Sequence, residues 1–352
     1  MKKAALVVGA RPQFIKTAPL IQELGRFFSM ILIHTGQHYD FSMSGIFFEE
    51  LQLPLPDYHL EAHGGTHGQQ TGSMLSGLDS VLRFEKPDVV IVVGDTNSTL
   101  AGALAAAKLK IPVVHVEAGV RSKDRQLPEQ INRVVTDSIA DCMLCPVPSA
   151  VENLNREGKF DNVVDAGDII YDCLRMFERH IPERPDLSLD LPEEFILATI
   201  HRAEAVDHEN ELKNILSSLA TSRCGVVFPA HPRTRKMISR FGLESDLPDN
   251  IMLTEPVGYV DLLSLLRLAR FTVTDSGGVQ REAAYFGKKT LVARPETEWR
   301  ELEQAGWVKV VGYEFDLERL PGNMSADNKL PSLFRPASKC MAEFVDTLYQ
   351  GD

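Results

Sequence analysis

Several classes of protein are excluded by what this sequence has little of. Cysteine is scarce: five residues are scattered over a chain of 352, which predicts reduced thiols in the cytoplasm and excludes a disulfide scaffold. Acidic residues outnumber basic ones by 49 to 37, so the basic face that nucleic-acid binding requires is not indicated. No apolar run approaches the ~20 residues of a membrane-spanning helix. We therefore predict a cytoplasmic protein with no nucleic-acid partner and no membrane partner.

Three short signatures are also missing or weak. The apolar run that follows Met1 is too short for a signal peptide and predicts a first strand instead. No Gly-x-Gly-x-x-Gly sequence is present, so a dinucleotide fingerprint is not supported. His63 and His67 have metal-ligand spacing, but the glycines between them predict a loop. We therefore predict neither a cofactor nor a metal site.

The chain does contain a repeated alternation of short apolar runs and helix-periodic segments. The run Val89–Val93 is continuously β-branched and aliphatic, as is typical of a parallel strand that is covered on both faces. The alternation breaks in the proline-rich, polar stretch 179–192 and then restarts. These patterns predict an α/β protein with two doubly wound domains and a cleft between them.

One stretch of the second half is typical of an anion-binding turn. A buried strand ends at Asp275, and a helix begins after Ser276, Gly277 and Gly278. The free amides and the positive dipole end of a helix N-terminus attract a phosphate. Glu282 follows on the same helix, where its carboxylate can accept hydrogen bonds from ribose hydroxyls. The sequence predicts that this turn holds the diphosphate and ribose of a nucleotide-sugar; the alternative is an ordinary strand–turn–helix.

Three carboxylates of the first half stand at the ends of predicted elements: two follow strands and one lies at the start of a helix. Asp95 and Glu117 each come directly after a buried strand, and Glu129 lies in the first turn of a helix that begins with Pro128. Each taken alone fits a helix cap or a charge that complements a helix dipole. Because the carboxyl ends of parallel strands share one edge of a sheet, we expect the three to converge. Clustered carboxylates are typical of acid/base chemistry.

Cationic side chains accompany these carboxylates. Arg11 and Lys16 follow the first strand and are candidates for pairing with phosphate, the alternative being a solvated helix start. His201 and Arg202 follow the first strand of the second half. We expect this imidazole and this guanidinium to line the wall of the cleft opposite the carboxylates.

Seven motifs, in order along nearly the whole chain, resemble those of the UDP-N-acetylglucosamine 2-epimerase family. They are Gly9-Ala10-Arg11-Pro12 with Lys16, Thr35-Gly36-Gln37-His38, Gly94-Asp95-Thr96, His115-Val116-Glu117-Ala118-Gly119-Val120-Arg121, Pro128-Glu129 with Asn132-Arg133, His201-Arg202-Ala203-Glu204, and Asp275-Ser276-Gly277-Gly278-Val279-Gln280 with Glu282. Any one of them alone is a weak signal, whereas the set in this order is highly specific.

The resemblance implies a GT-B fold of two Rossmann-like domains. It places a domain with the catalytic carboxylates at 1–172, a UDP-binding domain at 173–334, and a C-terminal helix, 335–352, that packs back on the first domain. It also implies a reaction in which a base removes the C2 proton of a UDP-sugar while UDP leaves C1, giving a glycal to which UDP is added back. A homodimer and a role in making surface polysaccharide precursors are further implications.

The resemblance also implies roles for individual residues. Asp95, Glu117 and Glu129 correspond to the acid/base carboxylates of the family, and His201 corresponds to a histidine that assists the departure of the diphosphate. The corresponding substrate-binding residues are Arg11, Lys16, Gln37, His38, Arg133, Arg202, Ser276, Gly277, Gly278 and Glu282.

Departures from the common pattern leave the substrate open. The chain has Gln13 where many members have glutamate, Gln130 after Glu129, and Trp299 where an arginine is common. The variants Gln13, Trp299 and Asn132-Arg133 resemble a branch that includes enzymes for modified sugars such as diacetamido-uronic acids. A hydrolysing epimerase that releases free sugar and UDP, a GT-B glycosyltransferase and a non-enzymatic nucleotide-sugar sensor are the alternatives; intact Asp95, Glu117 and Glu129 argue against the sensor.

Overall fold

A computed structural model of the chain describes residues 1–37, 54–185, 190–245, 247–318 and 334–349. The chain divides into two compact units. Unit 1 contains residues 1–177 and the C-terminal helix, and unit 2 begins at Glu178. The assignment of catalysis to one domain and UDP binding to the other stays a prediction.

Unit 1 is built on a parallel sheet of seven strands in the order β3-β2-β1-β4-β5-β6-β7. The strands are β1 Lys2–Val8, β2 Phe28–His34, β3 Tyr58–His59, β4 Val89–Val93, β5 Val113–Val116, β6 Cys142–Cys145 and β7 Val163–Asp165. The helices of unit 1 are α1 Arg11–Leu24, α2 His67–Glu85, α3 Asn97–Lys108, α4 Pro128–Ile139, α5 Pro148–Arg156 and α6 Ile169–Phe177. The predicted short helix at 47–51 lies outside the described residues.

Unit 2 repeats this plan with six parallel strands in the order β10-β9-β8-β11-β12-β13. The strands are β8 Phe195–Thr199, β9 Gly225–Pro229, β10 Ile251–Thr254, β11 Thr272–Thr274, β12 Thr290–Val292 and β13 Val308–Val310. The helices of the unit are α7 Ala203–Val206, α8 Glu209–Ala220, α9 Pro232–Arg240, α10 Tyr259–Leu268, α11 Gly277–Tyr285 and α12 Arg300–Gln304. The predicted α/β class and the two doubly wound sheets are therefore confirmed.

The strand order places a topological switch point in each sheet. In unit 1, β1 pairs with β2 on one side and with β4 on the other. In unit 2, β8 pairs with β9 and with β11 in the same way. Ligands of doubly wound sheets bind at the carboxyl ends of the strands beside this point. The loops after β1, β4, β8 and β11 are therefore where a site is expected.

Apolar side chains hold the strands of both sheets in place. Every residue of β4, Val89–Val93, is buried, as expected for a strand with helices over both faces.

The C-terminal helix α13, Ser338–Tyr349, packs on unit 1. Lys2 at the start of β1 donates to the carbonyl of Tyr349, and Asp172 of α6 accepts from the amide of Ala337 at 2.8 Å. Within the described ranges, no helix is both long and apolar enough to cross a bilayer.

Candidate active site

The end of β5 turns sharply to present Glu117 at the edge of the unit 1 sheet. Glu117 has a φ of 68°, a left-handed conformation that costs a non-glycine residue about 1–2 kcal/mol. Its side chain is buried, and the Lys16 ammonium of α1 forms an ion pair with it. The buried carboxylate is thus paired with a cation from the helix that follows β1.

Asp95 is linked to Glu117 through a shared arginine. Arg133 of α4 places one guanidinium nitrogen 2.7 Å from Asp95 Oδ2 and 3.8 Å from Glu117 Oε1. The adjacent Asn132 donates to the carbonyl of Asp95 at 2.9 Å. The sequence-predicted residues Lys16, Glu117, Arg133 and Asp95 therefore form one row of alternating charge.

Glu129 lies apart from this row. It is exposed in the first turn of α4, four residues before Arg133 and thus on the same helix face. Among the described residues, no ion pair joins its carboxylate to Arg133, which contacts Asp95 and Glu117 instead. The structure therefore brings two of the three predicted carboxylates together and places the third on the helix that carries their arginine.

A buried histidine–aspartate pair lies directly behind the two carboxylates. His115 of β5 has Nδ1 2.6 Å from Asp137 Oδ1 and Nε2 2.7 Å from the carbonyl oxygen of Gly94. Arg121 also contacts Asp137, at 2.7 Å. Burial by itself raises the pKa of Asp137, but the charges and hydrogen bonds of His115 and Arg121 outweigh it and lower that pKa below its ordinary value.

Gln13, a departure from the common family pattern, joins the ends of β1 and β4. Its side-chain oxygen accepts from the amides of Gly9 and Ala10 at 2.8 and 3.0 Å, and its nitrogen donates to the carbonyl of Val93 at 2.8 Å and to Thr99 at 3.0 Å. A glutamate carboxylate has no hydrogen to donate to Val93. The amide therefore suits this position because it donates and accepts at once.

In unit 2, a buried aspartate organises the loop after β8. Asp275 is completely buried, and its Oδ2 accepts from the amides of His201 and Arg202 at 2.8 and 2.7 Å. Its Oδ1 lies 3.2 Å from His201 Nδ1. The imidazole of His201 remains part-exposed beside the β8 and β11 strand ends. Arg202 lies 3.6 Å from Glu298.

The helix that follows Asp275 begins as predicted. Ser276 caps α11, and its hydroxyl accepts from the amide of Val279 at 3.5 Å. Gly277 and Gly278 are the first helical residues, so their amides lie at the helix N-terminus. Glu282 is buried on the same helix and accepts from the hydroxyl of Tyr259 at 3.0 Å. The turn has the backbone geometry for an anion, and one oxygen of Glu282 is already engaged.

Trp299 packs against this turn. The Arg281 guanidinium lies 3.9 Å from the centre of its indole ring, and Arg281 Nε donates to the carbonyl of Gly277 at 3.3 Å. A Cβ atom at Gly277 would lie 2.9 Å from Trp299 Nε1. The second departure from the common pattern thus supports the glycine turn directly.

The Gly277→Ala variant is expected to be less stable than the wild type by about 1–3 kcal/mol, the usual cost of overpacking. The buried, stacked Trp299 has little freedom to retreat from the new methyl group. Gly278→Ala is the matched control, because its Cβ would lie 3.7 Å from Ser276 Oγ, an ordinary contact. Urea unfolding of the two variants checks this; equal midpoints would contradict the role of Trp299.

Two of the three remaining predicted site residues, Arg11, Gln37 and His38, are described only in part or not at all. The backbone of Arg11 is the first residue of α1, but its side chain lies outside what the structure describes, and His38 lies outside the described residues altogether. Gln37 is described: its side-chain oxygen accepts from the amide and the hydroxyl of Ser98 at 3.0 and 2.7 Å. This bond fixes Gln37 to the start of α3.

Sequence reasoning gave no separate role to Asp137, His115 or Asp275. The signal was present, since a histidine interrupts the valines of β5 and an aspartate follows the buried strand β11. Asp137 is harder to find, because only the structure shows that it is fully buried on α4.

Comparison with known proteins identifies the family. The family profile described as UDP-N-acetylglucosamine 2-epimerase matches residues 22–317. A Methanococcus maripaludis protein, named UDP-N-acetylglucosamine 2-epimerase homolog, is 44% identical over 343 residues, covering 96% of this chain and 94% of the relative. The UDP-2,3-diacetamido-2,3-dideoxy-D-glucuronate 2-epimerase of Pseudomonas aeruginosa is 44% identical over 323 residues, covering 90% of each.

A solved structure extends the similarity to the whole fold. The crystal structure of the Methanocaldococcus jannaschii UDP-GlcNAc 2-epimerase, in complex with UDP-GlcNAc and UDP, matches with a TM-score of 0.85 at 39% identity and covers 100% of both chains. This match confirms the GT-B fold that the motifs predicted. With the paired carboxylates of unit 1 and the glycine turn of unit 2 in place, the chain belongs to the UDP-N-acetylglucosamine 2-epimerase family.

Proposed function

We propose that this protein epimerises C2 of a UDP-2-acetamido sugar, interconverting UDP-GlcNAc and UDP-ManNAc or a related pair. The observation that carries the proposal is the placement of Asp95 and Glu117 on neighbouring strand ends with Arg133 between them. Two carboxylates held in this way can take a proton from one face of a carbon and return one to the other. The C2 proton of a sugar is weakly acidic, so departure of UDP from C1 must accompany its removal.

The roles divide between the two units. The N-terminus of α11, with Gly277 and Gly278, offers amides to the diphosphate, and Glu282 lies one turn further on, suited to the ribose. His201, part-exposed and tethered to Asp275, is proposed to assist the leaving diphosphate. Lys16 and Arg133 keep the carboxylates of unit 1 compensated in charge. Arg11, Gln37, His38 and Arg202 complete the proposed substrate contacts, and Glu129 is the third proposed acid/base group.

The modified-sugar branch is the second candidate for the substrate. The Pseudomonas aeruginosa relative is named for a diacetamido-uronate sugar, and the Methanocaldococcus jannaschii relative of 43% identity is named for UDP-GlcNAc. Similarity alone does not separate these two substrates.

A product assay tests the proposal. The protein is incubated separately with UDP-GlcNAc and with UDP-2,3-diacetamido-2,3-dideoxy-D-glucuronate, and the products are separated by anion-exchange chromatography. A new UDP-sugar with inverted C2 supports epimerisation and names the substrate. Free sugar and UDP in equal amounts would instead show a hydrolysing enzyme, and transfer only to an added acceptor would show a glycosyltransferase.

We also propose that the protein is a homodimer and that α4 lies in its interface. The outward face of α4 is apolar: Ile131, Val134 and Val135 are 48%, 38% and 37% exposed. Its buried face is polar, since Gln130, Asn132, Arg133 and Asp137 point inward. An exposed apolar stripe on a helix is typical of a protein–protein contact.

Val134→Lys is expected to convert dimers to monomers, because it places a charge in the apolar stripe. Light scattering coupled to size exclusion measures the mass. Phe160→Lys is the matched control, since this side chain is also exposed and belongs to the loop between α5 and β7. An unchanged mass for Val134→Lys would overturn the assignment of the interface to α4.

A further inference from the structure

A buried unit of three ionisable side chains lies behind the two proposed catalytic carboxylates of unit 1. We call it the His115 unit: His115 of β5, Asp137 of α4 and Arg121. His115 and Asp137 are completely buried, so neither touches solvent or substrate. A charged group is rarely buried without a structural or functional reason, and the proposed reaction does not use these side chains directly.

The hydrogen bonds of His115 fix its protonation. The carbonyl oxygen of Gly94, 2.7 Å from Nε2, can only accept, so Nε2 carries a hydrogen. The carboxylate of Asp137, 2.6 Å from Nδ1, also accepts from the amide of Gly119 at 3.1 Å and from Arg121. Asp137 already accepts from two other donors, which suits a carboxylate that accepts from Nδ1 as well. Hydrogens on both ring nitrogens would make His115 an imidazolium.

The hydrogen bond from His115 Nε2 holds Gly94, the residue that precedes Asp95. Gly94 has a φ of 71°, and its amide donates to the carbonyl of Val116 at 2.9 Å. With His115 holding its carbonyl, the polar groups of Gly94 are fixed on both sides. Asp95 is the next residue, so the direction in which it leaves β4 depends on this peptide.

The Asp137 end of the unit acts on the turn that carries Glu117. This turn is left-handed at Glu117, with a φ of 68°, and such a conformation persists only where its surroundings hold it. Asp137 contacts His115, two residues before Glu117, and Gly119, two residues after it. The same carboxylate therefore holds both ends of the turn.

We propose that His115 is a positioning residue, held as an imidazolium, that sets Asp95 and Glu117 in register for proton transfer at C2. Its Nε2–H fixes the Gly94 carbonyl, and its Nδ1–H fixes Asp137, which in turn holds the Glu117 turn. The role in the reaction rests on the proposed function, whereas the protonation of His115 is a property of the protein alone. The two parts can therefore fail separately.

The protonation is tested on the wild-type protein by nitrogen NMR of ¹⁵N-histidine-labelled enzyme at pH 8, above the ordinary histidine pKa of about 6.5. We expect one imidazole with a hydrogen on both nitrogens and slow exchange of both. Among the described histidines only His34 and His115 are buried, and His34 Nδ1 accepts from the amide of Gly36, so the signal can be assigned. If both buried histidines, His34 and His115, carry only one ring hydrogen, the proposal that His115 is an imidazolium is overturned.

The positioning role is tested with His115→Gln and His115→Asn. A glutamine amide can reach the place of Nε2 and still donate to Gly94, whereas an asparagine amide reaches only the place of Nδ1. We expect kcat to fall by roughly 100-fold in His115→Asn, the usual effect of a misplacement of about 1 Å, and by roughly tenfold or less in His115→Gln. KM and the affinity for UDP should stay unchanged in both.

Equal losses of kcat in the two variants, or a loss expressed in KM or UDP affinity, would overturn the positioning role. If either variant does not fold, Asp137→Asn replaces it. Asp137→Asn keeps the shape of the side chain and leaves the hydrogen bond from His115 to Gly94 in place. Without the carboxylate, His115 should keep a hydrogen only on Nε2, so its ¹⁵N spectrum should show a neutral ring. The kcat of this variant should also fall. A wild-type enzyme without epimerase activity on any UDP-sugar would refute the proposed function while leaving the NMR result standing.

Discussion

Asp95→Asn and Glu117→Gln are each expected to lower turnover by at least ~100-fold, the usual scale for removal of an acid/base group. Each change removes a charge and keeps the shape of the side chain. Neither residue belongs to the glycine turn of unit 2, so the affinity for UDP should be unchanged. Initial rates of epimerisation and calorimetric titration with UDP measure the two effects.

The structure explains why two carboxylates are needed. Glu117 is buried and paired with Lys16, whereas Asp95 is more exposed and paired with Arg133. The two groups therefore lie in different surroundings, as acid and base partners commonly do. Glu129→Gln is an informative comparison, because Glu129 is exposed and lies outside the row of charges. Loss of UDP binding with unchanged chemistry in the Asp95 or Glu117 variants would contradict the assigned roles.

Lys16→Met is expected to reduce both stability and turnover. It leaves the Glu117 carboxylate, 4% exposed, without the cation that is itself only 8% exposed. Removing one partner of a buried ion pair typically costs about 3–5 kcal/mol. We expect the lower end of this range, about 3 kcal/mol, because Arg133 remains 3.8 Å from Glu117. Urea unfolding at neutral pH measures the loss.

The double variant Lys16→Met with Glu117→Gln is the control for this prediction. It removes the stranded charge, so much of the lost stability should return even though turnover stays low. The difference between the single and double variants gives the coupling of the pair. A Lys16→Met protein as stable as the wild type would show that Lys16 does not compensate Glu117, and a role in phosphate binding alone would then be favoured.

The sheets were predictable because their signals are local. A continuous run such as Val89–Val93 has few structural alternatives, and a carboxylate after a buried strand must lie at the ligand edge of a parallel sheet. Asp95, Glu117 and the Ser276–Gly278 turn could be located for this reason. The strand-order reversal beside β1 and β8 could not be read from any single segment, since it depends on pairings between distant strands.

Helix α4 shows where local patterns mislead. Its amphipathic pattern alone would bury Ile131, Val134 and Val135, yet these residues are exposed and the polar face is buried. The reason is that Asn132, Arg133 and Asp137 find partners at the strand ends, which offset the cost of burying them. In α4 the polar face is therefore buried and the apolar face exposed, the reverse of the usual amphipathic helix.

Which charged side chains form ion pairs could not be predicted from the sequence either. The three carboxylates were expected to converge, and Lys16 was a candidate for pairing with phosphate. The structure shows that Lys16 pairs with Glu117 and that Arg133 pairs with Asp95. Similarly, Gln13 stood out only as a departure from a family pattern until its four hydrogen bonds showed why an amide is required. Side-chain contacts between distant segments decide these points.

Deuterium incorporation at C2 tests the central claim most directly. The wild-type protein is incubated in deuterated water with the UDP-sugar that it epimerises, and proton NMR follows the C2 position of both epimers. The account predicts deuterium at C2 with UDP still attached to C1, and loss of this exchange in Asp95→Asn or Glu117→Gln. Epimerisation with full retention of the C2 proton, or no exchange with either UDP-GlcNAc or the diacetamido-uronate sugar, would contradict it.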